Sequence, residues 1–196
     1  PYCWKECEVL DNGPLRFTAK LVYNPLVIKG DSNVVETRVI SLDKGSQLNK
    51  TVISYTDLKE VTPIVAGIVI HKENPTGYSF DSNAGYIAYA DSTQNPRNNN
   101  GVIYVGAVFP ASLNAAKAQL FPEAERKEHG GALGHVLGIS DYEPGTEYVY
   151  YWGSGWSKYG FAADTEWTKY LENFAQQVRN PLTVTVKSVS YTHLRA

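Results

Sequence analysis

Glu36 and Arg38 stand two apart in the β-branched run Val34–Leu42, so on a strand both side chains leave by the same face. There the planar fork of Arg38 can hold a substrate carboxylate, or it can close on Glu36 as a solvated ion pair. The segment Glu128–His135 sets His129 and His135 close to the paired glycines Gly130 and Gly131. Imidazole exchanges protons near neutral pH and glycine lets backbone approach a ligand, which makes His135, and after it His129, the candidate proton donor or acceptor. The opposing reading is a pair of incidental loop histidines. The third feature is Tyr148-Val149-Tyr150-Tyr151-Trp152-Gly153-Ser154-Gly155-Trp156-Ser157. Sugar rings expose apolar C–H faces that stack on indole and phenol while their hydroxyls bond polar neighbours, so Tyr150, Trp152 and Trp156 are candidate substrate-binding rings. The same rings would also serve as core, since Trp and Tyr bury large areas wherever the polar handle finds a partner. On a strand, Tyr148, Tyr150 and Trp152 share one face and Val149 and Tyr151 the other, so one face can be core while the other meets ligand.

Glycoside hydrolysis by the usual route needs two carboxyls roughly 5–10 Å apart. Asp81, Asp91, Asp141, Glu143 and Glu147 are available, and their spacing along the chain singles out no pair. Other chemistries are excluded more firmly. There is no G-x-S-x-G nucleophile elbow, no phosphate-binding G-x-x-x-x-G-K-[ST] and no H-E-x-x-H. Gly153-Ser154-Gly155 lacks the wider elbow pattern and reads as a turn. Cys3 and Cys7 are the only cysteines, with no second Cys or His pair at matching spacing, so neither a metal nor a cofactor is expected. They can be free thiols or, in an oxidising compartment, a strained disulfide. Asn49-Lys50-Thr51 fits a glycosylation sequon, a triplet common by chance. With 18 Lys+Arg against 20 Asp+Glu, a formal net charge of −2 and no basic cluster, the chain lacks the charge that nucleic acid requires. Its longest apolar runs, Ile64–Ile70 and Val102–Phe109, fall far short of the roughly 20 residues that span a bilayer.

The elements that must position these residues are mostly strands. Leu15–Tyr23 alternates apolar and polar residues after the turn residues Asn12-Gly13-Pro14, which predicts a half-buried strand. Val34–Leu42 and Leu48–Tyr55 flank Asp43-Lys44-Gly45-Ser46 and predict a hairpin. Ile64–His71 and Val102–Phe109 are nearly continuous apolar runs, as in strands covered on both faces. Gly85–Ala90, His135–Ile139 and Thr146–Trp152 are further strand candidates, and Lys72–Gly77 and Asp91–Gly101 read as surface loops. Trp167, Tyr170, Leu171, Phe174, Ala175 and Val178 recur every three or four residues and predict one amphipathic helix. Asp164 is its expected N-cap and Asn180-Pro181 its stop. Leu182–Val186 reads as a last strand. Many short strands and one late helix predict an all-β class, an antiparallel β-sandwich with the helix as a cover.

Three stretches carry a family resemblance. The first is Asn12-Gly13-Pro14-Leu15-Arg16. The second runs Glu36-x-Arg38-x-Ile40-Ser41-Leu42-Asp43-x-Gly45-Ser46-x-Leu48-Asn49. The third is Tyr150–Ser157 ahead of Glu166-Trp167-x-x-Tyr170-Leu171-x-x-Phe174. In this order and spacing, about residues 8–186 resemble the C-terminal half of the DUF4861 family. Trp152 stands where relatives are expected to carry Phe. The resemblance implies a galactose-mutarotase-like β-supersandwich and a secreted, periplasmic or extracellular bacterial protein. It also implies a carbohydrate ligand of the acidic, pectin-like kind. Further site residues are expected in an N-terminal half, so the chain, which contains no Met and opens on Pro1, reads as a fragment. Residues 1–188 are expected to form one sandwich domain. Residues 189–196, VSYTHLRA, resemble a translated sequencing adapter and are set aside, His193 with them. The expected function is processing of acidic plant glycans, as a lyase, hydrolase or mutarotase, with Arg38 neutralising a uronate carboxylate, His135 moving the proton, and Tyr150 and Trp156 stacking the sugar. The alternative is a non-catalytic sugar-binding sandwich. The sequence does not specify an oligomeric state.

Overall fold

The computed structural model describes residues 3–92 and 96–187, and the set-aside tail with His193 lies outside them. Twelve strands and one helix follow in order: β1 Trp4–Asn12, β2 Arg16–Tyr23, β3 Leu26–Ile28, β4 Asp31–Asp43, β5 Leu48–Thr56, β6 Thr62–Ile70, β7 Tyr78–Asp81, β8 Tyr86–Ser92, β9 Val102–Val108, β10 Ala115–Leu120, β11 Gly134–Tyr142, β12 Tyr148–Trp156 and α1 Asp164–Arg179. The large sheet runs β1-β2-β4-β5-β12-β9-β8-β7, with β3 paired to β4, and a small sheet runs β10-β11-β6. Among the described residues every pairing between these strands is antiparallel. The all-β, sandwich-like class with one C-terminal helix is therefore what the chain adopts.

The β4–β5 hairpin forms as its turn residues predict, with Gly45 at φ +85°, a conformation that suits glycine and strains other residues. Its register pairs Glu36 with Tyr55, Arg38 with Ile53 and Ile40 with Thr51. On the other side of β5, Tyr148 pairs with Ile53, Tyr150 with Thr51 and Trp152 with Asn49. Directly opposed residues share a face. One face of the large sheet therefore carries Val34, Glu36, Arg38, Ile40 and Leu42 beside Ile53, Thr51 and Asn49, and beside Tyr148, Tyr150 and Trp152.

The small sheet covers that face only in part. Val34, Ile53, Ile87, Ala107, Phe109, Val136 and Tyr148 form the core beneath it, with Ile64, Ala66 and Ile68 of β6 packed against them. On the opposite face α1 buries Trp167, Leu171 and Ala175 against Tyr86, Ala88, Tyr104 and Val108. Each of the large apolar side chains contributes about 1.5–3 kcal/mol by burial. The helix sits close because β9 offers Gly106, where a Cβ would come within 2.6 Å of Leu171 Cδ1. At its far end Arg179 donates to three backbone carbonyls, Nη1 to Asn83, Nη2 to Phe109 and Nε to Pro110, at 2.6–3.2 Å. Among the described residues no helix is long and apolar enough to cross a membrane.

Several local expectations need correction. Asp164 is the first helical residue rather than the N-cap, which is Ala163. Its carboxylate accepts from Thr165 N–H, and Glu166 reaches back to Ala162 N–H, so both acids serve the positive end of the helix without capping it. Leu182–Val186 forms no strand: Leu182, Val184 and Val186 are each more than 80 % exposed, and β-propensity without a partner edge makes no ladder. β9 is covered on both faces as its apolar run predicts, whereas β6 is covered on one, and Val65 and Val69 face outward. Strands β1, β7 and β10 carried no clear alternation. Cys7 lies in β1 and Cys3 just before it, both free and exposed. Four residues of extended chain separate their Cα atoms by about 13 Å, beyond the roughly 7 Å a disulfide spans.

Candidate functional site

Along β4 the shared face passes from fully buried Val34, through Glu36 at 2 % exposure and partly exposed Arg38 and Ile40, to Leu42 at 40 %. β12 repeats the gradient, from buried Tyr148 through half-buried Tyr150 to Trp152 at 40 %. Where the small sheet stops short, a cleft of about 550 Å³ opens, with Arg38, Tyr55, Tyr150 and Trp152 along its floor and Pro63–Ile68 of β6 as its wall.

Inside the cleft the polar groups are tied together. Arg38 Nε donates to Glu36 Oε1, Tyr55 OH donates to Glu36 Oε2 at 2.7 Å, and the Arg38 guanidinium lies 5.0 Å over the ring of Tyr23. The ion pair is therefore sunk into the fold, with the Glu36 side chain 3 % exposed, and the solvated surface pair allowed by the sequence is not what forms. A buried carboxylate held by two donors fixes the guanidinium in place. Trp152 Nε1 donates to the hydroxyl of buried Thr51 at 2.7 Å, which anchors the indole while its ring stays open to solvent. Burial pushes the Tyr150 phenol above its ordinary range, and Glu36 adds to the rise; the Arg38 charge and the Thr51 hydroxyl pull it back. Tyr148 is also raised by burial, its hydroxyl held 2.9 Å from Ser140 Oγ in the core. The result is a hydrogen-bonding floor with one guanidinium, held by Glu36, and one open indole.

Five of the seven residues singled out in the sequence are therefore on one sheet face, and three of them, Arg38, Tyr150 and Trp152, line the cleft, with Glu36 buried behind Arg38. Trp156 shares the β12 face but lies four residues beyond Trp152, in a separate depression with Ile103, Ser154 and Tyr159. Its Nε1 donates to Asn100 O. The structure does not bring the histidines to the cleft. In β11 the alternation sends Val136 and Ser140 into the core and His135 to the outer face of the small sheet. There Phe121 sits edge-on to His135 at 5.2 Å and stacks on His129 at 3.9 Å. The carboxylates considered for hydrolysis are dispersed: Asp81 caps a turn, Asp91 pairs with His71, and Asp141 accepts from Asn114. Among the described residues no three His, Cys, Asp or Glu side chains converge on a metal position.

Sequence reasoning missed Tyr23, Tyr55, Thr51 and the β6 wall. Tyr55 and Thr51 had a signal: once the β4–β5 hairpin is drawn, they fall opposite Glu36 and Ile40 on the same face. The wall had none, because it comes from packing of one sheet on another.

The family model described as "Domain of unknown function (DUF4861)" matches residues 1–184, and the chain belongs to that family. No curated protein and no solved structure matches it.

Proposed function

We propose that this DUF4861 chain binds saccharide in the cleft beside β6, taking an acidic, uronate-containing glycan of the pectin kind outside the cytoplasm. The observation that carries the reading is the open end of the β12 aromatic row, where the Trp152 indole stands exposed at 40 % at the mouth of a cleft that Arg38 and Tyr150 also line. Indole stacks on the sugar's C–H face, Arg38 pairs with the uronate carboxylate, and the Tyr150 phenol meets ring hydroxyls. The cleft volume falls within the roughly 300–1,000 Å³ common to small-ligand sites. Kinship of the layered sheets with galactose-mutarotase-like supersandwiches, and export from the cytoplasm, belong to the same proposal and rest on the resemblance.

Titration calorimetry with oligogalacturonides against neutral oligosaccharides of equal length tests it. The native chain is expected to prefer the uronate series. Trp152→Ala is expected to weaken both series, and Arg38→Lys, which keeps the charge but loses the fork, to erase the preference. Equal or absent binding of the two series by the native chain sinks the reading.

A second reading, glycan processing, is favoured by one observation: Tyr150 places an exchangeable proton in the cleft beside Arg38. On that reading Tyr150, rather than His135 or His129, reaches the bound sugar. Product formation by the native chain that Tyr150→Phe abolishes, with binding retained, would establish it.

A further inference from the structure

The face that floors the cleft does not end there. Across β12, β5, β4 and β2 the register sets Trp152 opposite Asn49 and Leu42 opposite Phe17. The β4–β5 register pairs Ser41 with Lys50, and one further step brings Leu42 level with Asn49. Trp152, Asn49, Leu42 and Phe17 thus form one row perpendicular to the strands, all on the cleft side of the sheet. Leu42 and Phe17 are 40 % and 45 % exposed, and three strand spacings, roughly 14 Å, separate the indole from the phenyl ring. In this flank both sheet faces meet solvent, yet they differ in chemistry. Phe17, Ala19 and Leu21 point to the cleft side, while Arg16 and Lys20 point to the other, where they pair with Asp43 and Glu8. The amide of Asn49, held by its Nδ2 to the Trp152 carbonyl at 3.2 Å, interrupts the apolar row with a polar group midway.

We infer that this row is an extension of the binding site, and that the ligand is an oligosaccharide laid across the strands from Trp152 to Phe17. The inference rests on the saccharide reading of the cleft and names the ligand's size. A span of this length is beyond a single hexose ring and within reach of a short oligosaccharide. Its C–H faces meet the two rings and Leu42, and its hydroxyls meet Asn49. The chain runs outward from the cleft mouth over β5, β4 and β2. Among the described residues nothing covers Leu42 and Phe17, so the outer units are held by stacking alone and the ligand's far end stays free.

The test titrates oligogalacturonides from the monosaccharide to the hexasaccharide into the native chain, Trp152→Ala and Phe17→Ala. Circular dichroism confirms the fold, and sedimentation runs alongside. Native affinity is expected to climb with length and then level off. Trp152→Ala is expected to weaken every length. Phe17→Ala is expected to weaken the hexasaccharide by roughly tenfold, the scale of one aromatic contact, and to leave the disaccharide unchanged. A Phe17→Ala chain that binds the hexasaccharide as the native chain does overturns the extension while the cleft reading stands. Absence of binding at every length overturns the cleft reading and the extension with it. A native dimer that Phe17→Ala converts to monomer overturns the extension by showing that a second copy occupies the face.

Discussion

The two ends of β4, β5 and β12 share one residue pattern and meet opposite fates. At one end Val34, Ile53 and Tyr148 are sealed under the small sheet; at the other Leu42, Asn49 and Trp152 lie at or near the surface. Alternation assigns each side chain to a face, but how far along the strand that face is covered depends on where a second layer stops. The site sits at that limit, where burial is deep enough to hold Glu36 and Arg38 and shallow enough to admit a ligand.

The sharpest way to break this contrast is to compare truncations of large side chains from the two regions. Trp167→Ala, fully covered where α1 packs on the opposite face of the large sheet, is expected to cost about 3–5 kcal/mol in urea unfolding. A loss below 1 kcal/mol would mean the helix is not a true second layer. At the boundary, Glu36→Gln removes the charge that holds Arg38 and Tyr55, and is expected to cost about 1.5–3 kcal/mol. It should also blunt uronate preference in calorimetry, because the guanidinium loses its brace. In the open half, Phe17→Ala and Leu42→Ala are each expected to change stability by no more than about 0.5 kcal/mol, so a larger loss would show that something covers them. The smallest effect belongs to the Arg16–Asp43 pair on the far face of the open half. The Arg16 hydrogen bond holds the Asp43 carboxyl below its usual range. Its folded pKa thus lies under the unfolded value of about 3.9, so its contribution is complete above that value and lost as pH falls through the lowered one. Asp43→Asn is expected to show a slight stability deficit at pH 7 that shrinks as the solution is made acid. A deficit that persists in acid would assign the effect to something other than the ion pair.

Much of this architecture was legible because it is local. The hairpin at Gly45, the amphipathic stripe from Trp167 to Val178, and the shared face of Glu36 with Arg38 and of Tyr148, Tyr150 and Trp152 all follow from period and turn chemistry. What stayed hidden depends on layers. His135 looked as eligible as Arg38, because sequence distinguishes the two faces of β11 but not which of them the large sheet will take. Trp156 looked equivalent to Trp152, because nothing in the chain marks where the β6 wall ends. Leu182, Val184 and Val186 alternate as a strand would, yet a strand exists only if some edge receives it.

The Arg179 guanidinium joins the end of α1 to the β7–β8 turn and to the segment after β9 through neutral acceptors alone. Arginine keeps its proton across the accessible pH range, and peptide carbonyls do not ionise. This clasp is therefore indifferent to acidity. In a medium sour enough to discharge the surface carboxylates, the C-terminal end of the helix would stay pinned while the ion pairs of the exposed flank let go.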